Sequence, residues 1–339
     1  MKKLLYFLLV LFLFAISIGV FSYNQIFKAN VELSDKGEFL YIPKGTTFEE
    51  VTLVLVEDFG VSKSSFEMVS KLMRFDSPKP GRYKLAEGWN CKQLISTLRS
   101  GNQEALLLTI NNARTVEQLS GMLASKLEPD SLAFLNYFIS DQAMNKYGVN
   151  LSTVLTLFIP NTYQVYWNSS PESILSRFVS EKDKFYTSAK KKKLKKLDLS
   201  ADEVYTLASI VQKETLVNEE KPRVAGVYIN RLKRGQLLQA DPTVVFANQD
   251  FTIKRVLNRH LEIDSPYNTY KYAGLPPGPI CMPDVSSIDA VLNYEKHKYL
   301  YFCASPDNSG KHQFARTLIE HNKNADRYRA YLNKLRIYR

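Results

Sequence analysis

The chain opens with an apolar stretch that restricts where the rest of it can fold. Residues 4–23 contain no charged side chain, and Lys2 and Lys3 precede them. An α-helix of this length spans about 30 Å, the thickness of the hydrocarbon core of a bilayer. No A-x-A-like cleavage site ends the stretch, so a membrane anchor is favoured over the alternative, a cleaved signal peptide. The paired lysines predict a cytoplasmic start, with the remaining chain outside the cytoplasm.

The charge of the chain bears on its partners. Its 339 residues carry a formal net charge of +11, and part of the excess lies in the run Lys190–Lys196, which only Leu194 interrupts. Such a balance favours nucleic acid, an acidic membrane surface or an anionic polymer as partner. We find no zinc-finger spacing and no RNA-binding signature, so nucleic acid is not expected. The run is interpreted as a solvated helix face near an anionic surface.

A recurring local pattern follows the predicted anchor. Each copy has a short strand-like run, a turn and a capped helix start, as in Thr47-x-x-Glu50, where two side chains satisfy free amides of the first turn. The pattern predicts a small α+β region in which short strands pack on helices. Such a region either binds glycans or acts only as a spacer. The strand-like runs begin at Leu40, Gly81 and Ala105.

The helix predicted over Ala201–Thr215 carries the most informative carboxylate. At 100° per residue Glu214 falls at the edge of an apolar stripe, near Leu207, while Lys213 points to the opposite side. The negative end of the helix dipole and partial desolvation both raise the affinity of Glu214 for a proton. A carboxyl that stays protonated near neutral pH suits a general acid acting on a glycosidic oxygen. The alternative is a structural hydrogen bond or ion pair at a helix junction. The stripe consists of Val204, Leu207, Ala208 and Val211.

Polar segments further along the chain are candidates for a binding surface. Gln239–Thr243 is typical of a turn, and its side chains could bind a substrate or hold the turn. Ser265–Tyr270 and Gly274–Ile280 predict a stiff loop whose aromatic and amide groups would suit a sugar-binding wall or a packed connection. His312–Phe314 follows a further turn.

Several other chemistries lack their sequence signals. His312 and His321 do not have metal-ligand spacing, so neither a metal nor a cofactor is expected. We find no serine-hydrolase elbow, no zinc-protease motif and no phosphate-binding glycine loop. The three cysteines, Cys91, Cys281 and Cys303, are expected to be structural or free thiols. One disulfide between two of them is the alternative.

Read in order, a series of blocks resembles the MltG (YceG-like) family of murein lytic transglycosylases. The resemblance extends over nearly the whole chain and is strongest from about Phe158 onward. The matching blocks are Leu207–Thr215, Val224–Leu232, Gln239–Val244, Tyr267–Tyr270 with Gly274–Ile280, and Tyr299–Phe302 with His312–Phe314 and His321–Asn322.

The resemblance implies that Glu214, in the Lys-Glu-Thr triplet, is the catalytic residue. Two positions depart from the usual pattern: Gln212 stands where many members have glutamate, and Asn161 replaces an acidic residue. Glu214 is therefore the only acid in its stretch. Hydrolysing glycosidases usually need two carboxylates, whereas a lytic transglycosylase can use one, giving 1,6-anhydromuramic ends. Motif positions imply a glycan groove lined by Gln239, Asp241, Thr243, Asn268, Tyr270, His312 and Phe314.

The family resemblance also implies an organisation and a location. We expect an α+β protein with an N-terminal transmembrane helix (1–24), a linker (25–36), a LysM-like α+β module (37–107) and a mixed α/β catalytic domain (108–339). The implied location is the bacterial inner membrane, crossed once, with the catalytic domain on the periplasmic side. The implied partners are nascent peptidoglycan strands, cut endolytically to end elongation, and penicillin-binding proteins.

Two other functions fit parts of the sequence. A hydrolytic muramidase would use Asp241 as a second carboxylate and would leave reducing muramic ends. A non-catalytic envelope scaffold would bind glycan or synthesis proteins without needing Glu214 for catalysis.

Overall fold

An apolar helix, α1 (Lys2–Phe27), begins the described part of the chain. The structure is a computed structural model and describes residues 2–33, 37–307 and 309–335. The 26 residues of α1 are long and apolar enough to cross a membrane, and the window with the highest hydropathy is wholly unburied. This confirms the apolar N-terminal helix predicted from the sequence.

The first of two compact units comprises Met1–Leu108, Lys126–Pro129 and Gln164–Ser169. Its two strands pair antiparallel, with Leu40 opposite Tyr83. After α1, the elements of this unit are β1 (Phe39–Ile42), α2 (Phe48–Phe59), α3 (Lys63–Met73), β2 (Gly81–Lys84) and α4 (Cys91–Ser100).

Local capping explains where the helices of this unit begin and end. Thr47 and Glu50 form the predicted capping box, each side chain accepting a hydrogen bond from the backbone N–H of the other residue. α2 ends before Gly60 and α4 before Gly101, both in the left-handed conformation that favours glycine. The strand, turn and capped-helix pattern is therefore present, whereas the LysM-like assignment stays a prediction. The buried core of the unit includes Leu40, Leu55, Phe66, Tyr83 and Leu94.

The second unit comprises Thr109–Ser125, Asp130–Tyr163 and Ser170–Arg339. A short 3-10 helix (Val154–Leu157) lies among its longer helices. From the end of α4 onward, the other elements of the chain are β3 (Leu106–Ile110), α5 (Val116–Ala124), α6 (Ser131–Phe138), α7 (Asp141–Tyr147), β4 (Asn161–Val165), α8 (Pro171–Phe185), α9 (Ser188–Leu197), α10 (Ala201–Glu214), α11 (Lys221–Lys233), α12 (Asp241–Asn248), α13 (Asn258–Leu261), α14 (Val285–Leu292), β5 (Tyr301–Ala304), β6 (His312–Ala315) and α15 (Leu318–Lys334). β3 and β4 each have residues in both units, and the helices from α5 to α15 lie in the second.

The strands form two-stranded sheets, β1 with β2, β3 with β4 and β5 with β6, in a chain that is otherwise mainly helical. This confirms the predicted α+β class. The boundaries predicted for the linker, the first module and the catalytic domain stay a prediction. Residues 34–36 of the predicted linker lie outside the described residues.

α10 is a central helix of the second unit and packs against α11 and α14. Ser200 and Glu203 form a capping box that fixes the first residue of the helix. Burial of a large apolar side chain contributes about 1.5–3 kcal/mol relative to exposure, so the buried part of α10 stabilises the unit. The helix is buried on all sides from Val204 to Gln212. This part includes the whole predicted stripe, Val204, Leu207, Ala208 and Val211, each 0% exposed.

Arg231 of α11 bonds to the start of the β5–β6 hairpin. In its register Phe302 lies opposite Phe314. The Arg231 Nε donates to the carbonyl oxygen of Leu300 at 2.7 Å, and its Nη1 donates to that of Leu238 at 2.6 Å. A planar guanidinium with several donors suits such a junction. Arg231 therefore holds the start of the hairpin and the loop before α12 against the end of α11.

Candidate active site

Glu214 is the last residue of α10, where its side chain is half-buried and that of Lys213 is exposed. The helix ends here because Thr215 adopts extended backbone, with φ −143° and ψ 138°. The Thr215 hydroxyl accepts a hydrogen bond from the backbone N–H of Val217 at 3.0 Å, which holds the turn toward α11. The prediction that Glu214 lies at the edge of the apolar stripe agrees with this placement.

Tyr228 of α11 holds one oxygen of this carboxyl. Its hydroxyl donates to Glu214 Oε1 at 2.5 Å. The ring is 1% exposed and meets Phe302 edge-on, with 6.0 Å between the ring centroids. A buried hydroxyl requires a partner, and here that partner is Glu214, whose Oε2 accepts no hydrogen bond from the residues that the structure describes. Tyr228 lies within a matching sequence block, but the sequence does not assign it this role, because only the packing of α11 on α10 brings the two side chains together.

The surroundings of Glu214 raise its pKa to about 7. Burial of the carboxyl is the main cause, and the negative charge of Asp241 adds to it. The hydrogen bond from Tyr228 and the positive charge of Arg231 act in the opposite direction. Near neutral pH, Glu214 therefore populates both protonation states, as suits a group that must give up a proton and take one back.

A second carboxylate lies close by at the start of α12. Asp241 is its first residue, where the helix dipole favours a negative charge. The Tyr270 hydroxyl donates to Asp241 Oδ1 at 2.5 Å. Burial raises the pKa of Tyr270, and the bond to Asp241 raises it further. Tyr270 therefore stays a neutral donor that fixes the direction of the Asp241 side chain.

The other predicted residues of these two loops fall into an exposed and a buried group. Gln239 is exposed and adopts φ +49°, and its N–H donates to the carbonyl oxygen of Thr269. Thr243 is fully buried, with its hydroxyl bonded to the Ala240 carbonyl at 2.7 Å and the Thr269 hydroxyl at 2.8 Å. Thr243 thus holds the loop and does not reach its surface.

Asn268 has a similar internal role. Its fully buried amide donates to the carbonyl oxygens of Leu261 and Ile263, both at 2.9 Å. Its Oδ1 accepts from the backbone N–H of Tyr270 at 3.1 Å. These bonds close the loop that carries Tyr270 toward Asp241, so Asn268 positions a neighbour and does not line the site.

Two cavities of the second unit share Glu214 and Asp241 in their linings. One, called the basic cavity for its four Lys and Arg side chains, has a volume of about 380 Å³. The other, called the tyrosine cavity for its three Tyr side chains, has a volume of about 310 Å³. The basic cavity is also lined by Arg114, Lys213, Pro242, Val245, Phe246, Phe251, Ile253, Lys254, Arg255, Val256 and Ile280. The tyrosine cavity is also lined by Tyr228, Arg231, Gln239, Tyr270, Tyr301, Phe302, Leu318 and His321.

His312 and Phe314 are not among the residues that line either cavity. Both side chains lie on β6 beside Phe302, with ring centroids 5.3 and 6.0 Å from its own. The His312 backbone N–H and Nδ1 lie 2.9 and 3.0 Å from the two carboxylate oxygens of the buried Glu220. These residues therefore support Phe302, which does line the tyrosine cavity.

A buried polar cluster lies behind the last turn of α10. Gln212 Nε2 donates to Asp284 Oδ2 at 2.8 Å, while Lys221 Nζ donates to Gln212 Oε1 and Ser286 Oγ, both at 3.1 Å. The Ser287 hydroxyl also donates to Gln212 Oε1. Burial lowers the pKa of Lys221. The cluster holds the end of α10 against the first turns of α11 and α14.

Within residues 2–33, 37–307 and 309–335, no group of three or more His, Cys, Asp and Glu side chains could hold a metal ion. Cys91, Cys281 and Cys303 are free thiols. Burial raises the pKa of Cys281 to about 11, so this thiol stays protonated and inert.

Several known proteins are similar to this chain. Residues 40–327 match the model of the YceG-like family. An endolytic murein transglycosylase of Bacillus subtilis is 30% identical over 331 residues, which cover 91% of this chain and 90% of the relative. One of Streptococcus pneumoniae is 29% identical over 348 residues, which cover 90% of this chain and 61% of the relative. A crystal structure of a YceG-like protein from Listeria monocytogenes matches with a TM-score of 0.57 and 28% identity, covering 84% of this chain and 97% of that one.

These similarities confirm the resemblance carried by the sequence blocks. The family match runs from β1 into α15 and includes every residue that lines the two cavities. The Bacillus relative matches over nearly its full length. The chain therefore belongs to the YceG-like family.

Proposed function

We propose that this protein is a peptidoglycan lytic transglycosylase and that Glu214 is its catalytic acid and base. The observation that carries the proposal is one half-buried carboxyl, with a pKa of about 7, in the shared lining of two cavities. The relatives named endolytic murein transglycosylase support the reaction class.

The reaction can proceed on this single carboxyl. The protonated Glu214 gives its proton to the oxygen that links C1 of N-acetylmuramic acid to N-acetylglucosamine, and the C1–O bond breaks. The Glu214 carboxylate then takes the proton of the muramic 6-hydroxyl while that oxygen bonds to C1. The proton count of Glu214 is restored and no water is consumed. The products are a 1,6-anhydromuramic end and a new glucosamine hydroxyl.

Two neighbours tune this cycle. Tyr228 holds one Glu214 oxygen, so the other can face the substrate oxygen. Asp241 stays close enough to raise the proton affinity of Glu214. A fixed negative charge also stabilises positive charge at C1 in an oxocarbenium-like transition state.

In this proposal, fewer residues contact the glycan directly than the sequence indicates. Gln239, Asp241 and Tyr270 line the tyrosine cavity and are proposed to bind sugar directly. The remaining candidates are proposed to act by holding these groups in place: Thr243, Asn268, His312 and Phe314.

A hydrolytic muramidase is the second candidate, and Asp241 favours it. This carboxylate lines both cavities beside Glu214 and could activate water. Inverting enzymes need space for that water between two carboxyl groups. The two reactions differ in their products, since hydrolysis leaves a reducing muramic end.

The proposed setting is the membrane. α1 would cross the bilayer once, with the rest of the chain on the extracytoplasmic side of a bacterial inner membrane. There the enzyme would cut nascent strands endolytically, ending their elongation, beside penicillin-binding proteins. The length and apolar character of α1 support the membrane crossing, and the names of the relatives support endolytic cutting.

The test compares wild type and Glu214→Gln, both full-length in detergent, on purified peptidoglycan. Mass spectrometry identifies the product ends. A matched control is Glu219→Gln, because Glu219 is an exposed carboxylate in the turn between α10 and α11.

We expect anhydro ends from wild type and from Glu219→Gln, and none from Glu214→Gln. Reducing muramic ends that depend on Asp241 would replace the proposal with a muramidase. Anhydro ends that persist in Glu214→Gln would show that another residue is the catalytic acid. No products from any form would favour a non-catalytic scaffold.

A further inference from the structure

The basic cavity concentrates positive charge on one side of Glu214. Its lining includes four cationic side chains, Arg114, Lys213, Lys254 and Arg255. Among the residues that the structure describes, none of these four forms a salt bridge. Unpaired cations around a concave surface favour an anionic ligand.

The two carboxylates of this cavity offset only part of that charge. Glu214 and Asp241 also line the tyrosine cavity, and they accept hydrogen bonds from Tyr228 and Tyr270. Even with both carboxylates ionised, four cations against two anions leave the basic cavity with a net positive charge.

Apolar groups form the other part of the basic cavity. The Arg114 guanidinium lies 4.4 Å from the centre of the Phe251 ring, a cation–π contact. A guanidinium in such a contact can still bind a carboxylate through its N–H groups. A ligand with small alkyl groups and carboxylates would match both parts. The apolar lining includes Val245, Phe246, Phe251, Val256 and Ile280.

The tyrosine cavity differs in its charge. Its cation, Arg231, already donates to the carbonyl oxygens of Leu300 and Leu238. Besides the carboxylates of Glu214 and Asp241, its other polar groups are tyrosines, Gln239 and His321, which suit neutral hydroxyl and acetamido groups. An anionic substituent is therefore expected on the basic side only.

We infer that the basic cavity binds the carboxylates of the peptide stem carried by the muramic residue whose C1 reacts. This inference rests on the proposed function and adds a substrate class: peptide-bearing strands are preferred to bare glycan. The stem is attached to the reacting sugar, so its anions lie beside Glu214. A lipid pyrophosphate also carries negative charge, but only at the end of a strand.

The test measures binding, so it does not depend on turnover. Full-length Glu214→Gln in detergent is titrated with glycan strands in three forms: peptide-bearing, peptide-bearing with carboxylates converted to amides, and peptide-free. The same titrations are made after adding Lys254→Gln with Arg255→Gln. The matched control adds Lys296→Gln with Lys298→Gln, two exposed cations outside the cavity lining.

We expect peptide-bearing strands to bind more tightly than the other two forms. Removing the two cavity cations should weaken that binding roughly three- to tenfold, and the control pair should not. The preference should also shrink as salt rises. Equal binding of all three forms, or equal loss in the control, would overturn the inference. Stronger competition by inorganic pyrophosphate than by a soluble stem peptide would overturn it too. Failure of the proposed function would show separately, as absent or Glu214-independent cleavage.

Discussion

Replacing Tyr228 by phenylalanine removes one hydroxyl from the site and keeps the ring that packs against Phe302. The lost interaction is the 2.5 Å hydrogen bond to Glu214 Oε1. This bond lowers the pKa of Glu214 against the larger effect of burial. Without it the carboxylate is less stable, so Glu214 should hold its proton to higher pH.

The size of the effect follows from the strength of the bond. A hydrogen bond to a charged group contributes about 1.5–3 kcal/mol, and a tenfold change in proton affinity corresponds to about 1.4 kcal/mol. Protonated Glu214 also interacts with the Tyr228 hydroxyl, so only part of the free energy of the bond contributes to the change in pKa. We expect the alkaline limb of the kcat/KM profile, where activity falls, to shift to higher pH by about one unit. Loss of a fixed carboxyl orientation should lower the plateau roughly ten- to a hundredfold.

The assay is the pH dependence of kcat/KM for release of anhydro ends. Wild type should lose activity as pH rises through about 7, because deprotonated Glu214 cannot act as the acid. Tyr272→Phe is the matched control, since the exposed Tyr272 hydroxyl donates to Asp264 at 2.5 Å and does not line either cavity. A limb that stays in place in Tyr228→Phe, or moves to lower pH, would refute the reasoning.

Other substitutions test the supporting groups. Asp241→Asn removes a charge that raises the pKa of Glu214, so the alkaline limb should move to lower pH in the same assay; an upward move would contradict this. Asn268→Ala removes three hydrogen bonds of a buried amide. It should lower the free energy of unfolding by about 2–4 kcal/mol in urea titration, whereas an unchanged midpoint would show that the loop does not depend on it. Gln212→Met takes one side-chain partner from the buried Lys221. Here we expect a loss of about 1–3 kcal/mol of unfolding free energy with the alkaline limb in place, and a shifted limb would argue against a purely structural role.

Local rules account for what the sequence predicts well. The capping boxes at Thr47 and Ser200 depend on residues three apart, and both are present. Helical periodicity predicts that the apolar stripe of α10 is buried, with Glu214 at its edge. These features need no knowledge of which elements meet, whereas the burial of the other faces of α10, from Val204 to Gln212, depends on it.

Packing between elements accounts for what the sequence does not predict. The bond from Tyr228 to Glu214 exists only because α11 lies against α10. Polar residues in a loop give no sign of whether they face out or in, and Thr243 and Asn268 face in. The cations of the basic cavity also come from distant segments, with Arg114 far in sequence from Arg255.

The junction between α1 and the rest of the first unit bears on how often the protein would meet its proposed substrate. The helix ends at Phe27, and Gln25 in its last turn accepts a hydrogen bond from the Ser65 hydroxyl. Two residues after the helix, Ala29 pairs with Asn90 in an isolated β-bridge. With so short a connection, the rest of the first unit would stay at the bilayer surface once α1 is inserted as proposed. Under the proposed function, the protein and nascent strands held at the membrane would then diffuse in one plane, so their encounter rate would depend on the number of each per area of membrane. Diluting the protein by enlarging the membrane should therefore slow cutting, even when the volume of the compartment is unchanged.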